Sequence, residues 1–139
     1  MTSIKRPLAS AGAAVLLALS LTACGGYPSD ASEKDFCDEI TNISEVSLSI
    51  EGDEPTEDEW KDIQAAYEDL GEVGTPEDIG DDERAGFEAA VDAITDLDYD
   101  EAKDSFGSED GDDTVPGVSE DDEKNIDKFF EYVGETCQA

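Results

Sequence analysis

The chain has no histidine, one tryptophan, one methionine, and only eight Lys plus Arg against 39 Asp plus Glu. Without imidazole, Ser-His and Cys-His arrangements lack the base that activates their nucleophile. Zinc and copper sites built on histidine lack their ligands for the same reason. The shortage of cations rules against a nucleic-acid surface or an anionic-membrane surface on the protein moiety, because either needs positive side chains opposite phosphate. No Gly-rich phosphate loop or dinucleotide fingerprint occurs. No stretch keeps the two-residue alternation of a half-buried strand over any length.

Long hydrophobic runs are equally scarce, with a single instance at the N-terminus. Met1 to Pro7 carries Lys5 and Arg6 with no acid, and Leu8 to Ala23 is almost wholly apolar or small. That layout predicts an export signal over residues 1–23. A spanning helix would need ~20 apolar residues, whereas Gly25, Gly26, Tyr27, Pro28 and Ser29 break the run. The last four residues, Leu21-Thr22-Ala23-Cys24, resemble a bacterial lipobox. The resemblance implies diacylglycerol on the Cys24 sulfur, cleavage just before Cys24, and a lipid anchor on the extracytoplasmic face of the cell membrane. Residues 24–31 then read as a tether, of which the seven from Gly25 to Ala31 span at most ~25 Å.

Cysteine arithmetic agrees. Three cysteines in an exported chain leave one over, and lipidation of Cys24 accounts for it. Cys37 and Cys137 remain as a disulfide pair in an oxidising compartment.

Past residue 23 the chain has 116 residues, enough for one small domain, with 39 acids against Lys34, Lys61, Arg84, Lys103, Lys124 and Lys128, a formal charge of −33. Leu, Ile, Val and Phe make up only 21 of these 116 residues, a fraction that warns of disorder.

The placing of those few apolar residues argues for a fold. Trp60, Ile63, Tyr67, Leu70 and Val73 line one helix face, opened by a Thr56/Glu59 capping box and stopped by Gly71, Gly74 and Pro76. Ser119 and Asp122 cap a last helix carrying Ile126, Phe129, Phe130, Val133 and Cys137. A first helix starts after Ser32, partnered by Asp35, with Phe36, Cys37, Ile40 and Ile43 inward and a vague end near Ile50. The third is expected to open around Thr75-Pro76, as a cap followed by proline. It would turn near Ile79 and Gly80 and run regularly from about Asp81 through Phe87, Ala90, Val91, Ile94 and Leu97.

Together these predict an all-α domain over residues 32–139, an up-down bundle of about four helices, with an acidic loop at 107–118. In such a bundle the start of the first helix and the end of the last share one end. Cys37 and Cys137 would then lie within bridging distance.

The segments "DFCDEI", "GTPEDIGDDERAGFEAAVDAI" and "FFEYVGETC" together resemble a group of small helical lipoproteins and secreted proteins of actinobacteria. The likeness covers about residues 35–137 and implies a helical domain with one disulfide. It transfers no catalytic or binding residue.

Divalent cation binding is the one chemistry with local support. Asp96, Asp98, Asp100 and Asp104 alternate like the early ligands of a calcium loop, but position six is Glu101 and position twelve Gly107. A second register from Asp112 to Glu123 has Gly117 at six, yet puts Pro116 where a ligand belongs. The expectation is therefore no catalytic residue, no cofactor beyond the lipid, and no dedicated metal site. The protein reads as a non-enzymatic binding or envelope-associated lipoprotein whose partner is a protein or a cationic envelope component. The alternatives are a small hydrolase using two carboxylates, or a mainly disordered acidic spacer with weak cation binding.

Overall fold

The computed structural model describes residues 26–52, 54–106 and 117–137. The signal segment, Cys24, Asp112 and most of the acidic loop lie outside them. Five helices follow in order: α1 (Glu33–Leu48), α2 (Glu57–Val73), α3 (Asp81–Asp96), α4 (Tyr99–Phe106) and α5 (Glu120–Thr136). No strand occurs among the described residues.

The helices start where polar side chains can take up their free N–H groups. Ser32 accepts from the Asp35 N–H, Ser119 from that of Asp122, and Thr56 with Glu59 forms the reciprocal box. The Thr56 main-chain N–H and hydroxyl both donate to Glu59 and hold its carboxyl below the usual range. This contact adds stability above the ordinary carboxylate pKa and loses it as pH falls through the lowered folded value.

At the other ends no long helix has a basic residue in its last turn. For α3 the exposed carbonyls are met by side chains from α2. Gln64 Nε2 reaches the carbonyls of Ile94, Thr95 and Leu97, and Trp60 Nε1 donates to Leu97 at 3.2 Å.

The four long helices form a closed ring: α1 packs on α2, α2 on α3, α3 on α5, and α5 returns to α1. Neighbours are antiparallel. Val46 and Ile50 at the end of α1 join Trp60 and Ile63 at the start of α2. Trp60 in turn meets Leu97 just past α3, and Asp82 of α3 pairs with Lys128 while Gly86 lies against Asn125 of α5. The up-down arrangement brings Cys37 and Cys137 together, bonded across 100 residues with Cα atoms 5.3 Å apart.

Two apolar clusters fill the interior. Phe36, Leu70, Phe87, Val91 and Phe129 form the first, with the Phe129 ring edge-on to Phe36 at 6.3 Å and to Phe87 at 5.8 Å. Burying each such side chain contributes roughly 1.5–3 kcal/mol, and edge-on aromatic pairs add about 0.5–1.5 kcal/mol. A short apolar inventory suffices because large aromatics are concentrated at the centre.

Trp60, Ile63, Leu97 and Ala102 form the second cluster. Here the structure differs from the four-helix count. Asp98 accepts from the Glu101 N–H at 3.0 Å and starts α4, which turns Ala102 fully inward and lets the Tyr99 hydroxyl donate to the Pro55 carbonyl. A fifth, short helix thus closes the Trp60 end.

Two expectations about turns also change. Gly71 lies inside α2 and is buried, so the stop falls at Gly74, where φ is +78°. Thr75-Pro76 does not start α3, whose N-cap is Gly80. Thr75 is fully buried for another reason.

Candidate functional site

The residues read as tether form a strap. Tyr27 packs edge-on against Phe87 with ring centres 5.4 Å apart, and its hydroxyl donates to Asp92. Burial, together with that carboxylate, pushes the phenol above its usual range. The Pro28 carbonyl accepts from the Thr75 N–H at 3.0 Å, and Ala31 N–H donates back to the Thr75 carbonyl at 3.1 Å.

Arg84 closes this arrangement from the first turn of α3. Its guanidinium donates to the Tyr27 carbonyl at 2.6 Å, the Pro28 carbonyl at 3.3 Å and the Thr75 hydroxyl at 2.7 Å, and pairs with Glu88 at 3.1 Å. A planar fork of five donors can hold three acceptors and a carboxylate at once, which a lysine ammonium cannot do in this geometry.

Glycines give the strap its room. A β-carbon at Gly71 would sit 2.8 Å from the Tyr27 ring, and one at Gly74 would overlap the Pro28 carbonyl. The tether expected over residues 24–31 is therefore fixed to the domain from Tyr27 onward, because its main-chain carbonyls find donors there. Residues 27–31 are thus docked on α2 and α3 ahead of the first helix.

Beside the strap, α3 borders an open groove of about 580 Å³ that extends to α4 and the start of α5. Its floor is Ala85, Ala89, Ala93, Leu97 and Val118, and its rim Glu88, Asp92, Asp96, Glu101 and Asp122. Several of these carboxylates already have structural tasks. Glu88 pairs with Arg84, Asp92 accepts from Tyr27, and Asp122 accepts from the Ser119 hydroxyl at 2.6 Å.

The structure does not gather the calcium candidates into a loop. Asp96 ends α3, Asp98 caps α4, and Asp100 and Asp104 lie within α4. The alternate spacing that suits a loop is thus divided between two helices and the link joining them, and only Asp100 and Asp104, four residues apart, share a helix face. Glu123 lies in α5, while Asp112 falls outside the described residues. Among the described residues no three acidic or cysteine side chains are placed to hold a metal ion. Calorimetry with calcium in physiological salt should show no saturable micromolar heat. A stoichiometric, salt-resistant signal would overturn that expectation.

The cysteine pairing and four helical segments follow from the residues; the strap does not. One sign of it was available, since Arg84 is the only arginine past Arg6 in a chain whose other later cations are lysines.

The chain matches no protein-family model, no curated protein and no solved structure.

Proposed function

We propose that this is a membrane-anchored extracytoplasmic lipoprotein, of the actinobacterial kind it resembles, whose helical domain binds a partner rather than catalysing a reaction. Residues 1–23 direct export and are removed, and Cys24 carries diacylglycerol. The observation that supports this most is the bond between Cys37 and Cys137, which leaves Cys24, at the end of the Leu21-Thr22-Ala23-Cys24 motif, with no cysteine partner in the chain. Among the described residues no helix is long and apolar enough to cross a membrane, and a covalent lipid would supply the attachment. A protein or a cationic envelope component is the partner the domain's charge favours, and nucleic acid is repelled.

The test is Cys24→Ser. Cells fed a labelled fatty acid should incorporate it into the wild-type chain and not into the variant, and the variant should migrate as unprocessed precursor. Equal labelling and equal mobility of the two would refute the anchor.

A further inference from the structure

We infer that the strap fixes the orientation of the anchored domain: the α2–α3 face lies toward the bilayer, and the α1–α5 seam with its disulfide points away. The inference rests on the lipid-anchor reading above.

Chain length and the place where the strap ends carry the argument. The first described residue, Gly26, borders an open hollow beside α3 together with Tyr27, Glu88 and Asp92. Only Gly25 separates it from Cys24, so two Cα steps, at most about 7 to 8 Å, join the strap to the lipid-bearing residue. Each helix with its side chains is about 10 Å thick, which makes the bundle roughly two and a half times deeper than that link is long. An anchor so short, leaving from one side, cannot let the opposite side reach the lipid.

A flexible tether of the length first expected would leave the domain free to tumble. The docked strap removes that freedom, because Tyr27 is held by Phe87 and Asp92, and Pro28 by Thr75 and Arg84. The ring order puts the α2–α3 seam, where Tyr27 lies beside Gly71 and Phe87, opposite the disulfide-bonded α1–α5 seam. Arg84 acts here as a positioning residue.

The experiment uses the full chain expressed in a bacterium that processes lipoproteins, with the lipid on Cys24 first verified by peptide mass. The protein is placed in phosphatidylcholine nanodiscs doped with a gadolinium-headgroup lipid, and broadening is read at each backbone amide. Amides of α3 around Glu88 and Asp92 should broaden severalfold more than those of α1 between Asp38 and Glu45. Arg84→Ala should even out the two helices while circular dichroism remains helical. If that variant fails to fold, Tyr27→Ala, which removes the ring from Phe87, is read in the same way. Lipid on Cys24 with equal broadening of α1 and α3 in the wild type would overturn the orientation alone. Absence of lipid on Cys24 would overturn the anchor and the orientation with it. A gradient unchanged in the folded strap variants would show that the strap does not set it.

Discussion

Reducing the Cys37–Cys137 bond should lower the melting temperature by roughly 20 °C or more, taking about 4 to 5 kcal/mol for a loop of this size and about 4 to 8 °C per kcal/mol for a small domain. The bond spans 100 residues, nearly the whole folded region, so opening it releases almost the full conformational freedom of the unfolded chain. Besides the bond, α1 meets α5 mainly where Phe36 packs against Phe129 and Tyr132, and this seam is the slightest of the four. Domains of this size have total stabilities of only about 5–15 kcal/mol, and the excess of like charge opposes compaction. The reduced protein should therefore be at or near unfolding at 37 °C. Calorimetric scans with and without reductant measure the difference, with thiol titration confirming that Cys37 and Cys137 become reactive only after reduction. A melt displaced by only a few degrees would show that the helical ring is self-sufficient.

Gly86→Ala should destabilise the domain by about 2 to 3 kcal/mol, the upper part of the usual range for overpacking. The sign makes this informative. Alanine is a better helix former than glycine by about 1 kcal/mol, so a helix considered alone would gain. In the folded protein Gly86 is buried where α3 crosses α5, and an added β-carbon would overlap the Asn125 carbonyl and come within 2.7 Å of the Ile126 nitrogen. Both are main-chain atoms of a helix and cannot turn aside. The helices would have to separate, loosening Phe87 against Phe129 in the central cluster. Urea unfolding of the two proteins decides between the effects, and a higher midpoint for the variant would mean that α3 and α5 are not in such close contact.

Helix starts were legible because capping is local: Ser32 with Asp35, Thr56 with Glu59, and Ser119 with Asp122 lie three residues apart in sequence and in space. The stripes through Trp60, Leu70, Phe87 and Phe129 were legible for a similar reason, since burial selects for period. The features that escaped depend on contacts sequence does not mark. Gly86 reads as an interruption of a helical pattern until a second helix is laid across it. The eight residues of α4 offer few apolar positions, and the same aspartates that resemble cation ligands serve as its cap and its solvated side. The strap is held mainly through the carbonyls of Tyr27, Pro28 and Thr75, and a carbonyl is common to every residue. Only its donor, Arg84, has a side chain that could have drawn notice.

The strap and the disulfide occupy opposite sides of the bundle but the same end, where α1 and α3 begin and α2 and α5 finish. At the other end, closure depends on Gln64 and Trp60 reaching across to the carbonyls after α3, with Ala102 and Tyr99 laid over them. None of these contacts is covalent, so thermal fluctuation should work from there inward, with α4 detaching as a unit before the aromatic centre is disturbed. The domain is thus stiff at one pole and compliant at the other, and the compliant pole is where α4 can change shape without disturbing the rest.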